Sequence, residues 1–557
     1  MERNLLLVSL LAFSMATVAE AIVEFLALKG VQHIFGTVSP YSAPILRQIS
    51  RNETIKLVLC YREDAAILMA DGYARAHGAF AVALISGNRN SVPALPGFVH
   101  AVCDGSPIVV ISAENLAEAS CPPYFSQPYF ANNAFDMRHG APLSVASPHS
   151  TIQCLSKALR MTTGANKNPV YVSLPHEFLS QETVELPVEY LDDTPAEPAA
   201  LARGLTERAS EMLARAQNPL ILLGGGAVWS GAISVAMELA EFLFAPIASS
   251  NGKSGIVPED YPLSIGRLGT QTNVVARQAV AESDVIIVLG CRLEGATLRD
   301  VSQSIQPDTK IIQVDIDPHQ LGRNLSVQLA IAGDAKRVLQ KILVGLKDRG
   351  AEKWPTRVIH RMEKIWEQKA ARKSHLTRLT RSTDAPIRRL RLLKDVFDEV
   401  GQDGVFLGQL EWKHGIQKTH FPLVESFDCP LPGANLPLAL GAQLALPDRQ
   451  VVVFLADNEA INVLGEISTA VQYRIPVLIV IARENYLITP PNGDSVAGDR
   501  SVPNFAAAAL AMGAFSQKIE KHADIRRTVR QALASRRPSL LEVKVQTSVD
   551  HMAPRIS

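Results

Sequence analysis

Cysteine is scarce in this chain of 557 residues, and the six that occur, Cys60, Cys103, Cys121, Cys154, Cys291 and Cys429, are scattered singly. They form no CxxC pair and no regular spacing, which excludes a zinc ribbon and a disulfide scaffold and points to a reduced, cytosolic compartment. Several end apolar runs, as in Leu57-Val58-Leu59-Cys60, where cysteine behaves as a small buried hydrophobe. An excess of charge is lacking too, because 55 Lys and Arg cancel 55 Asp and Glu. That balance excludes both a disordered acidic chain and a protein that binds nucleic acid over its whole surface. Gly and Pro, at 34 each, are not enriched, so collagen-like and low-complexity classes fall away. The N-terminal apolar run, Leu5 to Phe13, is too short to span a bilayer, and no membrane partner is expected. Arg3 before it and Ala19-Glu20-Ala21 after it outline a signal peptide, but cleavage there would cut into a helix that starts at about Thr17. Met15 reads as the better start of the functional chain, with residues 1–14 an extension.

What is present is 47% hydrophobic and 20% charged residues, the balance of a folded globular protein. At roughly 100–200 residues per domain the length allows about three to four domains. From Thr17 the pattern alternates helix and strand, and the strand candidates at 55–60, 81–86 and 107–112 are near-continuous apolar runs. Such runs mark parallel strands covered by helices on both faces. A second series follows a Pro- and Glu-bearing linker, with strands at 219–226, 283–290 and 310–318, and a third has strands at 404–409, 450–457, 476–482 and 539–546. The expected fold is α/β: three consecutive doubly wound, mostly parallel-sheet domains. Their expected limits are an extension at 1–16, domains at 17–185 and 200–347, a basic helical linker at 348–385, and a third domain at 386–550. The segment 352–394 carries roughly a dozen Lys and Arg without regular aromatic interleaving, so it reads as a solvated connecting helix and no nucleic-acid partner is expected. Gly224-Gly225-Gly226 after a strand reads as a nucleotide turn or simply a tight strand-to-helix turn.

Two segments carry chemistry. Glu63, in Tyr61-Arg62-Glu63-Asp64, stands where a strand ends and an apolar helix begins. A carboxylate there can be desolvated and its pKa raised for proton transfer, or it can simply favour the helix macrodipole. Asp457, in Ala456-Asp457-Asn458, and Glu484, in Arg483-Glu484-Asn485, each end a strand and can meet at the carboxyl edge of a parallel sheet. Oxygen ligands so placed suit a hard Mg²⁺ or Ca²⁺ ion that also holds a phosphate; the competing reading is helix capping.

The order of these segments from Thr17 to about Val545 resembles the thiamine diphosphate (ThDP) dependent enzymes of the acetolactate synthase, pyruvate oxidase and 2-oxo acid decarboxylase type. Ala19 to Gly36, Arg62 to Gly78, Pro219 to Asp334 and Leu436 to Arg449 carry the resemblance. It implies pyrimidine-binding, central and diphosphate-binding domains, ThDP and Mg²⁺ as cofactors, a 2-oxo acid substrate, and a homodimer or homotetramer whose site forms between chains. It leaves FAD in the central domain open. The glutamate matching Glu63 contacts the aminopyrimidine ring and promotes the tautomer that deprotonates the thiazolium carbon. Asp457 and Glu484 match the metal ligands.

The same resemblance places Gly408, Gln409, Pro432, Gly433, Asn458, Arg483 and Asn485 around the cofactor, and Arg62 with Gln127 or Tyr129 toward the substrate. The motifs are rebuilt in this chain. Gly-Asp-Gly has become Ala456-Asp457-Asn458, where a side chain at 458 is expected to crowd a phosphate. The asparagine pair has become Arg483-Glu484, where Arg483 can pair with phosphate oxygens, and the bulky prop of the cofactor has become Pro432. Two readings follow: an acetolactate synthase-like carboligase or lyase using ThDP, or a relative that has lost ThDP and serves other chemistry or a non-catalytic role.

Overall fold

A computed structural model describes residues 16–86, 92–115, 142–183, 204–251, 255–269, 272–349, 356–408, 431–483 and 503–546. Gln127, Tyr129, Gln409, Glu484 and Asn485 lie outside the described residues. The chain divides into two compact units, Met1–Ala196 with Leu440–Ala445, and Glu197–Ala439 with Leu446–Ser557.

In the first unit, strands β1 (His33–Gly36), β2 (Lys56–Leu59), β3 (Ala81–Ser86), β4 (Ile108–Glu114), β5 (Leu143–Ser144) and β6 (Val170–Pro175) form a sheet of order β2-β1-β3-β4-β6-β5. Every ladder is parallel, as the two-sided apolar runs foretell. Helix α1 (Val18–Leu28) begins at a capping box: the Thr17 hydroxyl accepts from the Glu20 amide, while the Glu20 carboxylate accepts from the Thr17 amide at 2.8 Å. Helix α2 (Glu63–His77) is buried on every face from Glu63 to Arg75.

Charge inside such a helix must be paired, and here it is. Asp71 meets Arg75 at 3.0 Å, accepts from Ser106 Oγ at 2.6 Å and lies 3.0 Å from His100 Nδ1. Arg75 also reaches Asp104 at 3.3 Å, which ties α2 to helix α3 (Leu95–Asp104). Breaking a buried pair of this kind costs about 3–5 kcal/mol, so the network locks the second half of α2 against α3.

The second unit contains two sheets. The central one has β7 (Pro219–Leu223), β8 (Ile247–Ser249), β9 (Ser264–Arg267), β10 (Val285–Leu289), β11 (Lys310–Asp315) and β12 (Leu329–Ala332), in the order β9-β8-β7-β10-β11-β12, all parallel. The third sheet has β13 (Val405–Gly408), β14 (Val451–Ala456), β15 (Leu478–Arg483), β16 (Phe515–Ile519) and β17 (Ser539–Lys544), in the order β13-β14-β15-β17-β16, again parallel. Three parallel α/β sheets match the expected fold class.

The glycine triplet has a packing reason. A Cβ at Gly224 would lie 2.2 Å from Gly290 O, and one at Gly226 would lie 2.8 Å from Gly290 Cα, so the turn after β7 presses directly on the turn after β10. The basic connector departs from expectation. Helix α4 (Thr356–Thr380) is not a solvated spacer, because it buries Met362, Ile365 and Leu376. It also turns cations inward, and Arg361 donates to Pro219 O, Ala279 O and Ser283 Oγ at 3.0, 2.8 and 3.0 Å. A run of Lys and Arg reads as a wet face in sequence; here several of them serve carbonyls left over at the ends of the central sheet.

Candidate active site

Gly36 ends β1 and lets it run close to β3, since a Cβ there would sit 2.5 Å from Leu84 O. The chain then places Thr37 beside the carboxyl end of β3, with its amide bonded to Leu84 O. Glu63, the first residue of α2, reaches this corner. Its Oε1 accepts from Thr37 Oγ1 at 2.5 Å and from the Ser86 amide at 3.2 Å. Its Oε2 is buried and has no hydrogen-bond partner among the described residues. Burial pushes the Glu63 carboxyl above its ordinary value, against the pull of Thr37 and Ser86. A half-satisfied, desolvated carboxyl at the carboxyl edge of a parallel sheet has the burial and the free oxygen that proton transfer needs.

Sequence reasoning missed the next carboxylate. Glu114 follows Ala113, which pairs with Ser86 in the β3–β4 ladder. It accepts from Tyr171 Oη at 2.7 Å and from Ser173 Oγ at 2.6 Å. Burial and the Glu114 charge hold the Tyr171 phenol well above its ordinary value, and the Glu63 charge adds to this. The available signal was a Tyr and a Ser two apart on one face of β6, opposite an acidic strand end. Arg62, expected toward the substrate, is exposed, and its Nε donates to Asp64 Oδ1 at 2.9 Å. Its Nη2 donates to Asp64 Oδ2 at 2.5 Å.

In the second unit, Gly408 ends β13 at φ +116°, and a Cβ there would lie 2.0 Å from Phe454 O. Gly433 stands at φ +90°, where a Cβ would meet Val463 Cγ1 at 2.8 Å. Both positions demand glycine and keep backbone close to the strand ends. After β14, Asp457 opens a short helix, α5 (Asp457–Ala460). It is buried, and its Oδ1 accepts only the neighbouring Asn458 amide, at 3.0 Å, among the described hydrogen bonds.

Asn458 is helical and exposed, so its backbone conformation needs no glycine. Glu459, also missed, is buried, and its Oε2 accepts from the Ala456 amide at 3.3 Å. Pro432 is exposed. Arg483 turns across the sheet to β17, where its Nη1 meets buried Glu542 at 3.1 Å, and Glu542 in turn accepts from the Ala506 amide at 2.9 Å. That engagement gives the Arg483 charge a partner within the sheet.

The residues present fit the group that the family resemblance implies. Glu63 Oε2 is an orphaned buried oxygen that a ring nitrogen would satisfy. No cluster of three His, Cys, Asp or Glu that could hold a metal occurs among the described residues, and no described helix is long and apolar enough to cross a membrane.

Comparison with known proteins gives three domain matches in chain order. Residues 16–130 match the thiamine pyrophosphate enzyme N-terminal TPP binding domain, 206–342 its central domain and 400–543 its C-terminal TPP binding domain. The chain is 27% identical to the probable acetolactate synthase large subunit of Methanocaldococcus jannaschii, over 95% of this chain and 91% of that protein. It is 27% identical to the acetolactate synthase large subunit of Haemophilus influenzae, over 96% and 95%. It is also 27% identical to the acetolactate synthase isozyme 3 large subunit of Escherichia coli, over 96% and 94%. Matches to both cofactor-binding domains give no support to a relative that has lost ThDP.

Proposed function

Since this chain belongs to the thiamine pyrophosphate enzyme family and is a ThDP-dependent enzyme, we propose that it is an acetolactate synthase-like carboligase acting on a 2-oxo acid. The observation that carries this reading is the buried, unpartnered Oε2 of Glu63. When bound, ThDP supplies an electron sink for loss of carbon dioxide from a 2-oxo acid and for transfer of the remaining acyl carbon to a second carbonyl or to a proton.

Glu63 holds and returns a proton at Oε2, with Thr37 and Ser86 fixing the other oxygen. Its raised pKa keeps that proton exchangeable nearer neutrality than an ordinary carboxyl would. Asp457 with Glu484 would hold Mg²⁺, and Gly408, Gln409, Gly433, Asn458 and Asn485 would line the diphosphate. Gln127 or Tyr129 would face the substrate. A second copy of the chain completes the site, so a homodimer or homotetramer is the active form. The central glycine triplet is accounted for by its contact with Gly290.

The test is calorimetric titration of the dialysed protein with ThDP and Mg²⁺, repeated with Asp457→Ala. Saturable binding lost in the variant is expected, with a screen of 2-oxo acids for carbon dioxide release to follow. No binding at ThDP on the order of 1 mM, a free energy of about 4 kcal/mol, would overturn it.

A further inference from the structure

The inward-facing helix α4 builds a second site, away from the residues placed above. Lys369 Nζ donates to Tyr261 O at 2.9 Å, Pro262 O at 3.2 Å and Ser264 O at 2.5 Å, and Trp366 Nε1 donates to Pro262 O at 2.9 Å. These bonds fasten α4 beside the amino end of edge strand β9. One turn further on, the Arg372 side chain is only 12% exposed. Its nearest carboxylate, Glu259, is 3.9 Å from Nη1, beyond hydrogen-bond distance. Its Nε and Nη2 are buried and have no hydrogen-bond partner among the described residues. Those two N–H groups form the parallel edge of the guanidinium, the one that grips two oxygens of a carboxylate or phosphate at once.

Arg372 lines a cavity of about 200 Å³ together with Glu259, Asp260, Asn273, Lys369 and Lys373. Three cations face two carboxylates there, and Lys369 already serves three carbonyls. Burial lowers the Lys369 ammonium to about 8 and pulls the Arg372 guanidinium below its ordinary value. Positive charge has been taken out of water without full compensation, which folded proteins avoid unless a partner arrives.

We propose that this cavity between β9 and α4 binds a small oxyanion, gripped by the Nε/Nη2 edge of Arg372 and supported by Lys373. The shared ligand chemistry is two or more oxygens carrying one or two negative charges. The cavity admits a phosphate or a short-chain carboxylate and is smaller than the roughly 300–1,000 Å³ of a drug-sized ligand pocket. The site does not depend on ThDP.

The test is calorimetric titration of the full-length protein, at constant ionic strength in chloride, with sodium phosphate and separately with sodium acetate. At least one anion should bind saturably, with Kd on the order of 1 mM. Binding of phosphate alone assigns the site to a phosphate-bearing ligand, and binding of acetate alone to a carboxylate. Arg372→Lys keeps the charge but loses the paired edge, and it should weaken binding by a factor of about ten. Asp457→Ala should leave it unchanged, which separates this site from the diphosphate site. Lys373, exposed at the rim, guards against misfolding of the first variant: Lys373→Ala should weaken binding by a factor of about three. The proposal is overturned by absence of saturable binding for both anions, by equal binding in Arg372→Lys and Lys373→Ala, or by loss of binding in Asp457→Ala.

Discussion

Glu63→Gln should make the apoprotein more stable and the enzyme inactive. The amide keeps the shape of the side chain and the oxygen that accepts from Thr37 and Ser86, but it cannot ionise. In the wild type, burial raises the carboxyl pKa. A carboxyl with a raised folded pKa favours the native state fully below its unfolded pKa, and that contribution is lost as pH climbs through the folded value. Above that window the native protein carries a buried charged oxygen without a partner, a cost of about 1–3 kcal/mol. The Gln amide leaves a donor at the same spot, so the gain belongs at the lower end, about 1 kcal/mol. For a unit of roughly 150–250 residues that is a rise in Tm of about 2–4 °C.

The assay is differential scanning calorimetry of apoprotein and variant from pH 4 to pH 8, followed on the first unit's transition. The gap should open toward pH 8 and close toward pH 4. Turnover on a 2-oxo acid should fall by a factor of about 100–10,000, as for loss of a proton-transfer group. An apo Tm at pH 8 equal to or below wild type would refute the stability argument. Unchanged turnover would remove Glu63 from the chemistry.

Burial raises Asp315 from 3.8 to about 6, and its main partner is the Asp317 amide at 3.0 Å. Asp315→Asn should therefore stabilise the second unit by about 3 kcal/mol at pH 8, with the benefit fading as pH falls from about 6 toward 4; thermal melts across that range check it. Arg483→Met leaves buried Glu542 with the Ala506 amide on one oxygen and Lys518, at 3.9 Å, as the remaining cation nearby. A stability loss of about 1–3 kcal/mol in urea unfolding is expected, discounted for the partly exposed arginine, with ThDP affinity unchanged. A large fall in affinity would return Arg483 to the phosphate. Gly408→Ala forces a Cβ against Phe454 O at a φ that L residues rarely adopt, and should cost more than about 3 kcal/mol, read as loss of soluble, cooperatively folding protein.

What the sequence determined by itself was local. Near-continuous apolar runs such as Val451 to Leu455 specify strands buried on both faces, and three series of them specify three parallel sheets. Glu63 at the start of α2 and the strand-end Asp457 were legible for the same reason, since a strand end and a helix start are each written in adjacent residues, whereas the glycines at 408 and 433 came from the family resemblance. Tertiary structure decided the pairings. Glu114 finds Tyr171 and Ser173 because β4 lies beside β6, and Arg483 finds Glu542 because β15 lies beside β17. The cations of α4 turn inward because the central sheet offers carbonyls at its edge, which no helical periodicity announces. Hydrophobic pattern reports how much a position is buried. Which polar group meets a buried charge depends on strand order, and that order is settled only when distant segments pack.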